Sequence, residues 1–374
     1  MQPLRPQPGS TIAPANAVGR HAVTARAREL MSSDNNLCIN DPRRMGKTVW
    51  LDLFCDRPGD GFDAVKIDFE GVQTAQEFLI RAVTGLRKHS SLPRQAVAKL
   101  RALFDNVELG AGPVTVKKGV STRSPTDLLD ETIRSVDAHL GDDVLLVIAM
   151  DEVPIAVANI ARNEGPAAAH QLLQTLRGLR RTGSRLRWIV CGSVGFHHVL
   201  RQCGSTEGVI NDLVNLPLGP LEPGEAEELA QRLLLGIRRD GEADALASLV
   251  ERSGAIPFLL HALAQSLDEA GTGRVAAGDV AAAFGRFLDD RDSSRAVTHL
   301  LTRVDLMYGD DARAAETLLD RVAVEGSTRT ADLDADDRLL DALIDDHYLV
   351  EQNRTVSWRY DVLRRIWVHR RRLT

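Results

Sequence analysis

The chain has 374 residues, of which 44% are hydrophobic and 26% charged, and its formal net charge at pH 7 is −6. This composition is typical of a globular protein of about two to three domains, and it excludes a largely disordered or fibrous chain. The longest apolar run, Val144 to Met150, has seven residues, whereas a membrane span needs roughly 18. The net negative charge also excludes a global electrostatic footprint for nucleic acid.

The first 16 residues contain Pro3, Pro6 and Pro8 and lack an apolar segment. They predict a flexible N-terminal arm over 1–16 rather than a signal peptide, and we therefore expect a cytoplasmic protein without membrane contact. The cysteines are widely spaced without a Cys-x-x-Cys pair, which predicts buried thiols.

Alternating strands and helices follow the arm. Apolar spacing and turn residues predict strands at 37–40, 64–69, 144–150 and 186–191, with helices at 20–31, 49–55, 74–87, 125–139 and 167–181. Thr74 and Glu77 have the spacing of a capping box at the start of one helix. The order predicts an α/β fold with a parallel sheet over residues 17–215, and the alternating stretch 106–121 predicts an inserted hairpin.

A change in composition near 216–224, where prolines and glycines cluster, predicts a domain boundary. Helical patterns dominate residues 216–288. The last part of the chain, 289–374, is predicted to contain helices, a strand at 348–351, a turn and a strand at 355–360. That order is typical of a winged helix-turn-helix.

The residues Asp41-Pro-Arg-Arg-Met-Gly-Lys-Thr48 match the phosphate-loop pattern G-x-x-x-x-G-K-[ST] at every fixed position except the first, where Asp41 replaces glycine. Loop amides and the following helix N-terminus would cradle phosphates, Lys47 would reach the terminal phosphates, and the Thr48 hydroxyl would bind Mg²⁺. A carboxylate at position 41 would repel phosphates unless it points away from them.

Two carboxylates follow the apolar strand 144–150, at the strand end where open parallel sheets bind ligands. Asp151 would hold the water shell of the magnesium ion, and Glu152 would orient and deprotonate the attacking water. An ordinary solvated acidic pair in a loop is the alternative.

Polar residues near the next strand extend the candidate site. Ser193 could hydrogen-bond the γ-phosphate or the water, although an ordinary turn serine fits the pattern nearly as well. Arg177, Arg180 and Arg181 end the preceding helix, where one of them could act as an arginine finger toward a neighbouring subunit. Cations are also favoured there by the helix dipole alone, and the pattern selects no single arginine.

The order of these parts resembles the P-loop ATPases of the AAA+/STAND group, particularly the archaeal-type ATPases. Val18-Gly19-Arg20 is similar to the family's segment near the adenine, Asp151-Glu152 to its Walker B pair, and Gly192-Ser193 to its sensor 1. Leu221 to Leu229 resembles the start of the helical lid. The resemblance implies nucleotide contacts by these residues: Gly19, Arg20, Pro42, Arg43, Arg44, Met45, Gly46, Lys47, Thr48, Val49 and Pro257.

The resemblance implies an ATPase that uses ATP and Mg²⁺ and whose nucleotide state moves the lid and winged helix to regulate a partner or an assembly. Its catalytic residues would be Lys47, Glu152 and Ser193 with Arg180 or Arg181. One alternative is a slow nucleotide-held switch, in a toxin-regulating or phage-defence setting. Another is an AAA+ ring that assembles on DNA in a mobile-element context. A homo-oligomer or a regulated protein partner is expected in each case.

Charge in the winged-helix segment points in two directions. Aspartates between 334 and 346 would repel DNA, whereas a basic C-terminal helix with Trp358, Tyr360 and Trp367 nearby could meet a DNA backbone. Alternatively, the aromatic residues form the domain core and the arginines lie in a solvated face or pair with aspartates. The pattern favours protein contacts slightly over DNA.

Overall fold

The computed structural model describes residues 1–89, 125–141, 143–182, 184–192, 194–204, 207–290, 303–333 and 336–373. The predicted hairpin at 106–121 and Ser193 lie outside these residues. The chain forms two compact units. An α/β unit comprises 24–39 and 51–216, and a helical unit comprises 1–23, 40–50 and 217–374.

A five-stranded sheet organises the α/β unit. Its strands are β1 (Asn36–Ile39), β2 (Phe62–Asp68), β3 (Leu145–Asp151), β4 (Leu186–Cys191) and β5 (Leu213–Asn215). They lie in the order β2-β3-β4-β1-β5, and every neighbouring pair is parallel. The predicted parallel α/β sheet is confirmed, and β5 is a strand that the sequence patterns did not predict.

One helix precedes β1, and the others connect successive strands, as parallel neighbours require. They are α1 (His21–Ser32), α2 (Lys47–Asp56), α3 (Ala75–Lys88), α4 (Pro125–His139), α5 (Val153–Glu164), α6 (Pro166–Arg180) and α7 (Phe196–Gln202). Thr74 caps α3, because its hydroxyl accepts a hydrogen bond from the Glu77 amide at 3.1 Å, as the spacing predicts. The two ends of α1 and of α2 fall in different units.

The continuous apolar character of β3 follows from its position inside the sheet. Residues 146–151 are all buried, and side chains such as Leu146, Ile148 and Met150 join one core with apolar faces of α3, α5 and α6. A strand that is covered on both faces has no polar side to alternate with. Burial of Cys38, Cys191 and Cys203 agrees with the prediction, whereas Cys55 is partly exposed.

The helical unit continues with α8 (Pro223–Gly236), α9 (Ala243–Ser253), α10 (Pro257–Glu269) and α11 (Ala277–Asp289). After it come α12 (Arg303–Tyr308), α13 (Ala312–Glu325), β6 (Ser327–Arg329), α14 (Asp337–Asp345), β7 (Leu349–Gln352), β8 (Thr355–Trp358) and α15 (Asp361–Arg371). The last three strands form an antiparallel sheet in the order β6-β8-β7. This arrangement has the predicted winged helix-turn-helix form.

The first residues pack against α8 and α10, contacts that the flexible-arm prediction did not include. Leu4 is buried, and its amide donates to the Arg232 carbonyl oxygen at 2.9 Å. The Gln7 amide donates to Nδ1 of His261 at 3.1 Å. Burial lowers the pKa of His261 to about 4, which keeps this ring neutral and able to accept. The arm is therefore part of the helical unit's packing.

Within the part of the chain that the structure describes, no helix is both long and apolar enough to cross a membrane.

Candidate functional site

The phosphate-loop motif lies in a loop that leads directly into α2, as predicted. Two residues of the loop have left-handed backbone, Arg44 with φ 72° and Gly46 with φ 88°. Helix α2 begins at the next residue, Lys47, and the Trp50 amide donates to the Gly46 carbonyl oxygen at 2.9 Å. The unbonded amides of a first helical turn, together with its dipole, favour an anion at this end.

Lys47 is held by the loop itself. Its ammonium donates to the carbonyl oxygens of Asp41 and Pro42, the latter at 2.8 Å. The side chain is 7% exposed, whereas Thr48 beside it is exposed. The loop thus holds a buried cation on main-chain oxygens, and Thr48 is accessible to solvent.

The Asp41 carboxylate accepts two main-chain hydrogen bonds from residues much later in the chain. Oδ2 accepts from the Leu218 amide at 2.8 Å, and Oδ1 accepts from the Gly219 amide at 3.1 Å. Asp41 is completely buried. Because both carboxylate oxygens are engaged with these amides, the departure from the glycine of the motif is accommodated locally.

Arg20 bonds to the same later segment. Its Nη1 donates to the carbonyl oxygens of Leu218 at 2.7 Å, Gly219 at 2.8 Å and Pro220 at 3.2 Å. Its Nη2 donates to the Met45 carbonyl oxygen at 2.6 Å. Burial lowers the pKa of Arg20, and the negative charge of Asp41 opposes that shift. Arg20 therefore joins the phosphate loop to 218–220; its predicted contact with adenine stays a prediction.

Other residues implied by the resemblance lie in the same unit. A Cβ on Gly19, which has φ +77°, would come within 2.7 Å of the Glu225 carboxyl group. Glu225 also accepts from the His21 amide at 2.9 Å, at the start of α1. Pro257 lies 3.9 Å from the position that a Cβ on Gly46 would take. The structure thus brings Gly19, the phosphate loop and the start of α10 into the same helical unit.

Two further loop side chains contact the rest of the helical unit. The Arg44 guanidinium lies 5.0 Å from the centre of the Phe258 ring, a cation–π contact, and Nη1 donates to the Gly9 carbonyl oxygen at 3.4 Å. Met45 is 1% exposed and belongs to the unit's core. Pro42, Arg43 and Val49 are half-buried. Their predicted nucleotide contacts stay predictions.

The predicted acidic pair stands at the end of β3, in the α/β unit. Asp151 is 3% exposed, and its Oδ1 accepts from the Glu152 amide at 3.1 Å. Its Oδ2 lies 3.7 Å from Nζ of Lys66, which also forms an ion pair with Asp52 at 2.7 Å. The sequence signal for this cation is a lysine between Val65 and Ile67 in an otherwise apolar strand.

Glu152 has a conformation that is unusual for its residue type. Its φ of 57° and ψ of 30° are left-handed, and it is the N-cap residue of α5 without a side-chain cap bond. This conformation is uncommon outside glycine and asparagine, and it often marks a functional position. Nearby, a Cβ on Gly192 at the end of β4 would come within 2.4 Å of Pro154.

Arg180, one of the arginine-finger candidates, lies in a buried ion pair, and its predicted role stays a prediction. The guanidinium makes a two-bond ion pair with Asp212, at 2.7 Å and 2.8 Å, and also donates to the Val209 carbonyl oxygen. Its side chain is 3% exposed. Arg177 bonds to Asn211 at 3.1 Å, whereas Arg181 is exposed. Of the three arginines, Arg181 is exposed, Arg177 is partly exposed and Arg180 is buried.

His347 is a buried residue that the sequence did not single out. It lies in the turn between α14 and β7 with φ 61° and is 6% exposed. Neither ring nitrogen has a hydrogen-bond partner among the described residues. Burial lowers its pKa, while the charges of Asp41 and Lys47 act on it in opposite directions. The winged helix thus places a titratable side chain in the electrostatic field of the phosphate loop.

The basic residues of α15 are largely neutralised within the helical unit. Arg364 and Arg365 bond to Asp361 at 2.8 Å and 2.7 Å. Arg371 pairs with Asp320 and Glu316. Trp358 and Trp367 are buried in the core, as the protein-packing alternative predicted. The sequence suggested that these arginines pair with the aspartates of 334–346. In the structure their acidic partners are Asp361, Asp320 and Glu316 instead.

Comparison with known proteins identifies the fold. No protein-family model matches the sequence, and no curated protein matches it. A Walker-type ATPase of Pyrococcus abyssi is 17% identical, with a TM-score of 0.62 over 97% of this chain and 98% of that chain. The ORC2 protein of Aeropyrum pernix, solved as ADPNP–ADP complexes, is 12% identical, with a TM-score of 0.51 over 96% of each chain. The chain therefore has the fold of a Walker-type P-loop ATPase, as its motifs predict.

Proposed function

We propose that the protein binds ATP with Mg²⁺ and hydrolyses it, and that nucleotide occupancy alters the helical unit. The observation that carries the proposal is the state of Lys47, whose buried ammonium is held on the carbonyl oxygens of Asp41 and Pro42. These acceptors carry no net charge, whereas a phosphate oxygen would add the Coulomb attraction of opposite charges to the hydrogen bond with the ammonium. A phosphate at the start of α2 would therefore attract this side chain away from them.

The residues assigned to Mg²⁺ fit a hard cation that prefers oxygen ligands. Thr48 is exposed and offers a hydroxyl. The Asp151 carboxylate already lies beside the Lys66 ammonium, so it is suited to a positive charge. Asp151 ends β3 at the carboxyl end of the parallel sheet, the end where such sheets bind ligands. When bound, Mg²⁺ supplies charge neutralisation for the phosphate oxygens.

Glu152 is assigned as the residue that accepts the proton of the attacking water. It is partly exposed, and it follows directly after the metal-binding candidate Asp151. Its left-handed backbone supports a functional role, because such strain persists where the surroundings require one particular direction of the side chain. Arg181 is the exposed residue among the three candidate arginine fingers, so we assign to it the contact with a second copy of the chain. This assignment agrees with the expected oligomer.

Nucleotide state would be reported in two ways. The first is the bonded connection from Asp41 and Arg20 to residues 218–220, just before α8. The second is electrostatic, because the charges of Asp41 and Lys47 act in opposite directions on the buried His347. A regulated protein partner would read the resulting change in the helical unit. The paired arginines of α15 favour such a partner over DNA.

A slow nucleotide-held switch is the second candidate, and one observation favours it. Lys66 places an ammonium 3.7 Å from the Asp151 carboxylate. That cation would compete with Mg²⁺ for the same oxygen and slow turnover without preventing nucleotide binding. The two candidates thus differ in rate rather than in ligand.

Nucleotide binding is tested first, with a fluorescent ADP analogue and Mg²⁺ on the wild type, Lys47→Ala and the matched exposed-lysine variant Lys88→Ala. We expect at least a 100-fold loss of affinity for Lys47→Ala, from the loss of charge-assisted bonds. Lys88→Ala should bind as the wild type does. Equal binding by Lys47→Ala and the wild type would refute the assigned site.

Hydrolysis is then measured across a protein concentration series, with and without duplex DNA, and with Glu152→Gln as the blank. Activity that rises with concentration supports an assembling ATPase, and stimulation by DNA would favour the ring on DNA. Flat activity near the blank, in a protein that binds ADP, supports the switch.

A further inference from the structure

Asp41 departs from the phosphate-loop pattern, which has glycine at its position. The residue is completely buried and is bonded at two of its groups. Its main-chain carbonyl oxygen accepts from the Lys47 ammonium, and its carboxylate accepts from the amides of Leu218 and Gly219. A glycine could keep the first of these contacts but not the second.

The carboxylate is specifically matched to the two consecutive amides. The Leu218 and Gly219 amides converge on its two oxygens, and Gly219 has φ +60°, a left-handed conformation that glycine adopts at little cost. Asparagine has nearly the same shape but only one accepting oxygen on its side chain. It could therefore satisfy one amide, and its NH₂ group would face the other.

Arg20 adds a second set of hydrogen bonds between the phosphate loop and the segment 218–220. While Asp41 accepts from the amides of 218–219, Arg20 donates to the carbonyl oxygens of 218–220 and to that of Met45 in the phosphate loop. Main-chain donors and acceptors of one short segment are thus both bonded to charged side chains next to the loop. Leu221 then bonds elsewhere, its amide donating to the Ala255 carbonyl oxygen at 2.9 Å, and α8 begins at Pro223.

We propose that Asp41 is a positioning residue that couples nucleotide occupancy of the phosphate loop to the 218–220 segment at the start of α8. The proposal deepens the proposed function and rests on it. The Lys47 ammonium donates to the main-chain carbonyl oxygens of residues 41 and 42, and a bound phosphate would compete with them for it. Phosphate draws Lys47 away, the main chain at Asp41 loses its cation, and the carboxylate carries the displacement to Leu218 and Gly219.

The test is amide hydrogen exchange of Leu218 and Gly219, resolved at single residues, with and without MgADP. Each protein is measured at saturation, as judged from its own ADP binding curve. The variants are Asp41→Asn and the matched control Asp60→Asn, which makes the same chemical change at an exposed position. The Leu221 amide, which bonds to Ala255 rather than to Asp41, is the internal reference.

In the wild type and in Asp60→Asn, we expect MgADP to change exchange at Leu218 and Gly219 by at least about threefold. Asp41→Asn without nucleotide should exchange these amides about tenfold faster, because a bond to a charged acceptor is lost. Exchange at Leu221 should stay unchanged by that substitution. Bound MgADP should then no longer affect Leu218 and Gly219 in Asp41→Asn.

An undiminished response to MgADP in Asp41→Asn would overturn the coupling, as would a wild type that binds ADP without any response at these amides. A wild type that binds no ADP would instead overturn the proposed function, and the coupling with it. If Asp41→Asn does not fold, Lys47→Met replaces it. Lys47→Met removes the donor to the Asp41 carbonyl oxygen, which is the contact that phosphate would release. Without nucleotide, exchange at Leu218 and Gly219 in Lys47→Met should therefore differ from the wild type in the direction that MgADP produces, and exchange at the wild-type rate would refute the coupling.

Discussion

The phosphate loop and the end of β3 use charged side chains in different ways. Around the loop, Arg20, Asp41 and Lys47 bond to main-chain oxygens and amides. At the end of β3, Lys66 bonds to carboxylates, those of Asp52 and Asp151. Charge in the first region therefore determines the path of the chain, and charge in the second determines the electrostatic environment of a carboxylate.

This difference has a physical consequence for substitutions. Removing a side chain that satisfies several buried main-chain groups leaves those groups without partners, which costs stability. Removing one member of a side-chain ion pair leaves the main chain intact and changes local charge. Substitutions near the loop should thus affect folding and coupling, and those near β3 should affect chemistry and metal affinity.

The largest effect is expected for Glu152→Gln, which sharpens the chemical side of the comparison. The substitution keeps the size of the side chain and removes its ability to accept a proton, so kcat for ATP hydrolysis should fall by about 10²- to 10⁴-fold. ADP affinity should stay near the wild-type value. A phosphate-release assay with the purified protein measures the first and a fluorescent-ADP titration the second. Normal hydrolysis would exclude Glu152 as the base.

Arg20→Met tests whether charged side chains near the phosphate loop stabilise the fold. Four main-chain carbonyl oxygens would lose their donor, and we expect the free energy of unfolding to fall by about 3 kcal/mol. Urea denaturation measures the change. The control is Arg26→Met, since Arg26 is 54% exposed and pairs only with Glu29 among the described contacts. Equal stability of the two variants would contradict the distinction between the regions.

Lys66→Met should have a smaller effect, which we expect in the Mg²⁺ dependence of hydrolysis. Removing the ammonium that lies 3.7 Å from Asp151 frees this carboxylate for Mg²⁺. We expect the Mg²⁺ concentration at half-maximal hydrolysis to fall by about tenfold, a difference of about 1.4 kcal/mol, well within the Coulomb energy of such a pair. Titration of Mg²⁺ at fixed ATP measures it, with Lys88→Met as the control. An unchanged midpoint would show that Lys66 does not compete.

The smallest effect is expected at the exposed ion pairs of α15. Arg365 is 43% exposed and bonds to Asp361, which also pairs with Arg364. Arg365→Ala should lower the free energy of unfolding by less than about 0.5 kcal/mol. Duplex DNA should change the hydrolysis rate of neither Arg365→Ala nor the wild type. A loss of DNA-stimulated activity would instead make this helix a nucleic-acid surface.

The sequence predicted what depends on local pattern. The apolar run 144–150 identified a strand that is buried on both faces, and the spacing of Gly46, Lys47 and Thr48 placed the phosphate loop before a helix. These features need only neighbouring residues. The same holds for the Thr74 cap of α3.

Long-range partners could not be predicted in this way. Asp41 bonds to Leu218, 177 positions later, and Arg20 bonds to it across 198 positions. Arg180 lies at the end of a helix, a position that usually faces solvent. Here it is buried in an ion pair with Asp212, 32 positions later in the chain. No local signal marks such pairs, because a single sequence records residue types but not which distant segments meet.

The left-handed backbone of Glu152 has a consequence for evolution of the protein. At φ 57° a glycine would relieve strain, and this relief is worth about 1 kcal/mol or more. Selection for stability alone would therefore favour Glu152→Gly. The glutamate at this position keeps the fold slightly below its attainable stability, a trade-off that agrees with the role proposed for Glu152 in hydrolysis.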